Sequence, residues 1–163
     1  MAGSKAGLTD LHLADTERGA LNLLQDSIQI QRDALVSPDE PLVRGYSAAR
    51  IADLLIDLRD ISRVPINPVG TPFQMKVWQA LRTLPIGSTL SYQQLAEQIG
   101  MPKAVRAVAS ACGKNRLALV VPCHRIIRSD GGLGGFRWGL DRKQRILAFE
   151  ASLLRLERKR VNR

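Results

Sequence analysis

Cysteine and histidine are scarce in this 163-residue sequence, which contains two of each. The cysteines are Cys112 and Cys123, and the histidines are His12 and His124. Zinc sites repeat such residues at short spacings, and these four residues do not form that pattern. The sequence therefore predicts no metal site. A reduced, cytosolic pair of thiols is favoured over a disulfide.

Long apolar runs are also missing. No stretch approaches the roughly 20 apolar residues that a membrane-spanning helix needs, and the first residues lack the features of a signal peptide. Neither a Walker phosphate-binding motif nor a strand-linked glycine motif occurs. We therefore expect a cytoplasmic protein with no membrane partner and no cofactor. Its length allows one domain or two small ones.

Acidic side chains are few in the C-terminal part of the chain. Residues 1–66 carry 7 basic and 10 acidic side chains, a net charge of −3, whereas residues 67–163 carry 17 and 5, a net charge of +12. Such a one-sided excess is typical of a surface that meets a polyanion, most simply nucleic acid. The alternative is a basic surface that maintains solubility, which the abrupt division of charge makes less attractive.

The charge boundary coincides with a connector over residues 64–70 that contains two prolines. We expect residues 1–66 to form a structural part, with a weak hairpin over 8–25 and helices over 26–36 and 47–60. Residues 67–163 would form a second, functional part. The sequence thus predicts two domains.

The basic part is predicted to be mostly helical. A Thr-Pro pair at residues 71–72 is a strong helix start. Ser91 and Gln94 have the spacing of a capping box, which opens a short helix, and a second helix over 104–112 follows a tight turn. This pair indicates a helix-turn-helix. A last helix is expected over 140–158.

The second helix of that pair has a nearly bare face, formed by Ala107, Ser110, Ala111 and Lys114. A helix that reads the major groove projects long polar side chains, whereas small side chains suit close approach to the narrow minor groove with little sequence readout. Arg106 is the one long projecting group. Close packing on another helix also favours small residues, but the basic surroundings favour DNA.

Cys123 and His124 follow a run of five apolar residues, 117–121. The run predicts a short buried strand, which would place both side chains where a buried element reaches the surface. Buried structural cysteines are common, but the adjoining imidazole and the basic surroundings favour a reactive thiol. Glu150 shares the apolar face of the last helix, so its carboxylate needs a buried partner, for which a histidine is natural.

Together these motifs resemble the O6-alkylguanine-DNA alkyltransferases. The likeness rests on Pro-Cys-His-Arg at 122–125, on Ser-Tyr-Gln-Gln-Leu-Ala at 91–96, on residues 102–108 and on a glycine-rich loop before the last helix. It covers about residues 70–150. The resemblance implies an α+β protein of the bacterial cytoplasm. Its small, shortened ribonuclease-H-like N-terminal part would precede a mostly helical alkyltransferase domain with a helix-turn-helix.

The resemblance also implies direct-reversal DNA repair. Such a protein flips O6-alkylguanine, mainly O6-methylguanine, out of duplex DNA and moves the alkyl group irreversibly onto its own cysteine; O4-methylthymine is a second candidate base. Its partner would be double-stranded DNA carrying alkylated bases, bound through the minor groove by a monomer with little sequence specificity.

Catalytic roles follow from the family motifs. Cys123 would be the nucleophile and alkyl acceptor, His124 would take the thiol proton through a water, and Glu150 would orient His124. Asn115 would brace the turn around the cysteine, and Tyr92 would donate to N3 of the leaving guanine.

Arg106 would fill the space left by the extruded base. The other implied DNA-binding residues are Ala104, Ala107, Ser110, Ala111, Lys114 and Arg125, although Arg125 is also expected to hold structure. The implied substrate pocket consists of Tyr92, Ile126, Phe136, Arg137 and Trp138. Trp138 replaces a residue that is small in many relatives. We therefore hypothesise a narrowed pocket that transfers methyl groups well and benzyl groups poorly.

Three alternatives remain open at this point. Alkyltransferase-like proteins bind lesions without removing them, but they carry Trp in place of Cys123. A Cys-His hydrolase would turn over many times and needs an oxyanion hole. A purely architectural minor-groove binder would use the cysteine only for structure.

Overall fold

The computed structural model describes residues 2–4, 7–11, 41–43, 46–47 and 61–161. Helices and a few short strands alternate in these parts of the chain, so the fold is mixed. The expected helices over 26–36 and 47–60, and most of the expected hairpin over 8–25, lie outside the described residues. Two compact units are present, one formed by residues 1–71 and 116–121 and the other by residues 72–115 and 122–163.

The first unit contains short strands paired in twos. Strand β1 (Ala2–Ser4) pairs antiparallel with β2 (Gly7–Asp10), and β3 (Pro41–Val43) pairs antiparallel with β4 (Tyr46–Ser47). A 3₁₀ turn, Ile61–Arg63, is the next described element, and the first segment of this unit ends at residue 71.

The apolar run 117–121 belongs to this first unit. Leu11 donates its N–H to Arg116 O and accepts from Ala118 N, both at 2.8 Å, so the run makes one bridge and then turns. Leu119 has a left-handed φ of 66°. The predicted burial is confirmed, because Ala118 and Val121 are inaccessible. The predicted strand is wrong, since an apolar run reports burial and not an extended backbone.

The second unit contains four helices within the described residues. They are α1 (Pro72–Arg82), α2 (Tyr92–Gln98), α3 (Val105–Gly113) and α4 (Leu140–Val161). The predicted starts and ends agree with these within one to three residues. None of the helices in the described part of the chain is both long and apolar enough to cross a membrane.

Helices α1, α2 and α3 share a core. Val77, Leu95 and Val108 contribute inaccessible side chains, and Trp78 Nε1 on α1 donates to Ala111 O on α3 at 2.9 Å. The predicted capping box is confirmed: Ser91 accepts from Gln94 N at 3.1 Å, and Gln94 Oε1 accepts from Ser91 N at 2.7 Å. Helix α2, the turn and α3 form the expected helix-turn-helix.

Two short paired strands connect the helix-turn-helix with the Pro-Cys-His-Arg motif. Strand β5 (Leu90–Ser91) runs directly into α2, and β6 (Ile126–Ile127) follows a 3₁₀ turn, Cys123–Arg125. The two strands are parallel, with Leu90 opposite Ile126. This pairing places Tyr92, the first residue of α2, beside the segment that carries the thiol and the imidazole.

Candidate active site

Cys123 lies in the 3₁₀ turn with 5% of its surface exposed. Asn115 Nδ2 donates to Cys123 Sγ at 3.1 Å, and the Asn115 N–H donates to Cys112 O at 3.2 Å. Asn115 is itself buried. The asparagine therefore ties the end of α3 to the sulfur, in agreement with its expected position around the turn.

His124 and Glu150 form a buried pair. His124 Nε2 lies 2.8 Å from Glu150 Oε1, and neither residue has more than 1% of its surface exposed. The expectation that Glu150 points inward towards a histidine is confirmed. Gly87 N also donates to Glu150 Oε2 at 2.9 Å. Gly87 has a φ of 70°, and a Cβ there would lie 2.3 Å from Leu154 Cδ1, so this close approach requires glycine.

Arg125 binds the same carboxylate. Its Nε donates to both Glu150 oxygens at 3.1 and 3.0 Å, its second terminal nitrogen donates to Oε1 at 2.7 Å, and its first donates to Leu84 O at 2.6 Å. Only 4% of Arg125 is exposed. The placement of Arg125 among the DNA-binding residues is wrong, because its guanidinium is committed to buried partners, whereas the expected structural role is confirmed.

These contacts set the charge on the pair. Burial alone would raise the pKa of Glu150, but hydrogen bonds from His124 and Arg125 outweigh it and lower the pKa to about 2. Burial lowers the pKa of His124 despite the adjoining carboxylate. The pair at neutral pH is therefore an ionised carboxylate and a neutral imidazole. An ionised carboxylate only accepts, so the imidazole proton lies on Nε2 and Nδ1 keeps its lone pair.

Burial raises the pKa of the Cys123 thiol to about 11, although the Asn115 hydrogen bond and the Lys143 charge act in the opposite direction. The resting sulfur is thus protonated at neutral pH. A thiolate is the reactive species, so reaction needs a nearby proton acceptor. Among the described residues, His124 Nδ1 is buried and has no hydrogen-bond partner, and the nitrogen of a neutral imidazole is able to accept a proton.

Lys143 is a buried cation that the sequence analysis missed. Its Nζ donates to the carbonyl oxygens of Ile126, Leu133 and Gly135, and its side chain is inaccessible. Three acceptors match the three donors of an ammonium group. The available signal was helical spacing, since Lys143 lies seven residues before Glu150 on the same face of α4.

A cavity of about 250 Å³ opens beside the thiol. Its lining residues are Tyr92, Ala109, Cys112, Gly113, Cys123, Gly135, Phe136 and Arg137. Tyr92, Phe136 and Arg137 were expected there, whereas Ala109, Cys112 and the two glycines were missed. Ile126 and Trp138 do not line the cavity, contrary to expectation. Both are buried, and Trp138 packs edge to face on Phe136 with ring centres 5.2 Å apart.

Tyr92 contacts the glycine-rich loop closely. A Cβ on Gly134 would lie 2.9 Å from the Tyr92 hydroxyl, and Gly134 has a φ of 65°. Burial raises the pKa of Tyr92, while a backbone hydrogen bond from Gly135 lowers it in part. The phenol therefore keeps its proton at neutral pH and is available as a donor at the cavity wall.

The outer face of α3 is only partly as expected. Arg106, Ala107, Ser110 and Lys114 are exposed, and Ala104 is half-buried. Ala111 is 2% exposed, and its carbonyl accepts from Trp78, so its placement on the outer face is wrong. Ala111 lies three residues after the inaccessible Val108, so helical periodicity places it on the buried side of α3. No group of three or more His, Cys, Asp or Glu side chains in the described residues is arranged to hold a metal ion.

The chain is similar to known proteins. Residues 72–152 match the family model of the 6-O-methylguanine DNA methyltransferase DNA-binding domain. The chain is 33% identical in sequence to OGT of Mycobacterium tuberculosis, solved in complex with DNA. That comparison has a TM-score of 0.67 and covers 93% of this chain and 84% of the other. The chain belongs to the O6-methylguanine-DNA methyltransferase family.

The curated relatives of this chain are longer than the chain itself. The chain is 45% identical over 152 residues to the bifunctional transcriptional activator/DNA repair enzyme Ada of Escherichia coli K12, covering 93% of this chain and 42% of Ada. It is 51% identical over 98 residues to the methylated-DNA–protein-cysteine methyltransferase of Mycolicibacterium paratuberculosis, covering 60% of this chain and 53% of the relative. The chain thus spans about half the length of these relatives.

Proposed function

We propose that this protein repairs alkylated DNA by direct reversal, moving the alkyl group from O6 of guanine in duplex DNA onto Cys123 Sγ. The observation that carries the proposal is the cavity that contains Cys123 at one wall and Tyr92 at another, beside a neutral His124 held by Glu150. A flipped purine is the ligand that such a cavity suits. Methylated-DNA–protein-cysteine methyltransferases among the relatives support the reaction.

The hydrogen bond between His124 Nε2 and Glu150 leaves Nδ1 as the nitrogen that can accept a proton. His124 Nδ1 takes the Cys123 proton through one water, and Glu150 stabilises the imidazolium that results. The thiolate then attacks the alkyl carbon, so that an S–C bond forms while the O6–C bond breaks. The electron pair of the broken bond goes to guanine, and Tyr92 donates towards N3, where negative charge grows. The guanine anion then takes up a proton and the imidazolium loses one, so that neutral guanine leaves and His124 is neutral again. Asn115 keeps the sulfur aimed at the cavity.

The product is a thioether, which no group in the site hydrolyses. Each molecule therefore acts once, as a stoichiometric methyltransferase. Phe136 forms a cavity wall and Trp138 supports it from behind. Any limit that Trp138 sets on alkyl size thus acts through Phe136, and we expect methyl transfer to exceed benzyl transfer.

DNA binding is assigned to the exposed face of α3. Ala107 and Ser110 allow close approach to the minor groove, Lys114 contacts phosphate, and Arg106 fills the gap in the base stack. Ala104 is placed at the edge of this surface. The protein would bind as a monomer, in the cytoplasm, where its two free cysteines stay reduced. A shortened ribonuclease-H-like arrangement is proposed for residues 1–66.

A transfer assay tests the function. Duplex DNA with labelled O6-methylguanine is incubated with increasing protein, and label on protein is counted. We expect one methyl group per molecule at most. The Cys123→Ser variant should accept none, and Cys112→Ala, which changes the other cavity thiol, should accept as much as the unaltered chain. Repeated turnover would instead support a hydrolase, and full retention of label transfer by Cys123→Ser would exclude the proposal.

A further inference from the structure

Arg125 shares a carboxylate with the histidine that is proposed to accept the thiol proton. Both it and His124 bind Glu150 Oε1, at 2.7 and 2.8 Å, and all three side chains are buried. Arg125 also reaches Glu150 Oε2 at 3.0 Å. The carboxylate therefore shares its negative charge between a permanent cation and a titratable ring.

A buried carboxylate without a second cation would hold its histidine as an imidazolium, because a lone buried anion is costly. Such a histidine has no lone pair left to accept a thiol proton. With Arg125 present, the Arg125–Glu150 pair is neutral overall, and a further proton on His124 meets the positive guanidinium. The ring then remains neutral while its Nε2–H still binds Glu150.

Other charged groups around His124 act in the same direction. Burial has the largest effect and lowers the pKa of His124, and the positive charges of Arg125 in the 3₁₀ turn and of Lys143 on α4 lower it further. Glu150 is the one group among the described residues whose charge raises it, and the Cys123 thiol is protonated at rest. Arg125 differs from Lys143 because it binds the carboxylate directly.

We propose that Arg125 is a positioning residue that offsets the charge of Glu150, so that His124 rests as the neutral ring with Nδ1 free to accept the Cys123 proton. The proposal rests on the proposed function for its catalytic meaning, but the protonation state of His124 is a property of the protein alone. Arg125 thereby sets the pH above which the thiol can be activated.

Nitrogen NMR of the imidazoles tests this directly, because the chain has two histidines and His12→Gln leaves one signal pair. In that background, DNA-free protein at neutral pH should show His124 with a proton on Nε2 and none on Nδ1. An imidazolium, or a proton on Nδ1, would overturn the proposal without any further variant.

Substitution of Arg125 gives the second measurement. Arg125→Gln removes the charge but keeps an amide donor for Glu150, and should raise the pKa of His124 by about one unit or more. Arg125→Lys keeps the charge and should restore titration near that of the unaltered protein. Arg145→Met removes an exposed arginine from α4 and should change nothing. Equal titration of His124 in folded Arg125→Gln and the unaltered protein would refute the role.

The pH dependence of the methyl transfer rate tests the role of Arg125 separately from the proposed alkyl-transfer function. Since only neutral His124 accepts the proton, a raised pKa should move the acid limb of the profile to higher pH by the shift seen in NMR. If Arg125→Gln shifts the pKa of His124 in NMR but the unaltered protein transfers no methyl group, the proposed function is refuted and the role of Arg125 stands. If the unaltered protein transfers methyl groups but the acid limb of the pH profile is the same in Arg125→Gln, the role of Arg125 is refuted and the proposed function stands.

Discussion

Lys143 shows how one buried side chain supports two parts of the site. Its ammonium group binds the carbonyl of Ile126, just after the Cys-His motif, and two carbonyls of the glycine-rich loop. Its positive charge also lowers the pKa of Cys123 against the effect of burial. One cation thus fixes the loop and favours the thiolate.

Replacement of Lys143 by Met should therefore raise the pKa of Cys123 and slow its reaction. A rise of one unit means about tenfold less thiolate at a given pH. The ultraviolet absorbance of the thiolate against pH, measured in a Cys112→Ala background, reports the shift. The Arg145→Met variant serves as the control for charge on α4. A thiolate titration that is unchanged in folded Lys143→Met would contradict this role.

Glu150 should make stability depend on pH. Its pKa is about 2 in the folded protein, below the ordinary value of about 4.3. The stabilising effect of the ionised carboxylate is therefore complete above that ordinary value and is lost as pH falls towards about 2. Urea unfolding at neutral and acidic pH measures the loss. Glu150→Gln should show less of this acid dependence, but it should be less stable at neutral pH by about 3–5 kcal/mol, because Arg125 loses its counter-charge. Parallel stability profiles for the two proteins would argue against the assignment.

At the scale of elements, the glycine-rich loop and α2 meet at one contact. Gly134 approaches the Tyr92 ring so closely that a methyl group has no room, and its φ is left-handed. Gly135, the next residue, has open space at the Cβ position. The two neighbours therefore offer a matched pair of substitutions.

Gly134→Ala should displace Tyr92 or the loop and lower the methyl transfer rate by about tenfold or more, the effect of losing about 1.4 kcal/mol of transition-state stabilisation. Gly135→Ala should retain most of the rate. Single-turnover kinetics on O6-methylguanine duplex measures both. A rate for Gly134→Ala equal to that of Gly135→Ala would show that the close contact has no effect on transfer.

At the scale of the whole molecule, sequence reasoning predicted elements whose signals are local. The capping box at Ser91 is a spacing rule, and the inward direction of Glu150 follows from helical periodicity. The sequence did not predict the turn at residues 117–121, because the backbone hydrogen bonds at its start are made with the distant Leu11. The sequence also did not predict that the Arg125 guanidinium is buried. Its acceptors, Glu150 and Leu84 O, are distant in the sequence, and no local pattern shows that they lie next to it.

The charge asymmetry makes a prediction for DNA binding. Lys114→Ala should weaken binding by a similar factor for different sequences and reduce the slope of log affinity against log salt by about one. Lys76→Ala, on the exposed side of α1, removes the same charge away from the proposed interface and should leave the slope unchanged. Equal slopes for Lys114→Ala and the unaltered protein would remove Lys114 from the interface.

The most direct measurement is intact mass spectrometry, followed by peptide mapping, after incubation with duplex DNA that contains O6-methylguanine. The account predicts a gain of one CH₂ per molecule, located on Cys123, with Cys112 unmodified. An unchanged mass under conditions where the duplex binds, or a methyl group found on any residue other than Cys123, would contradict it.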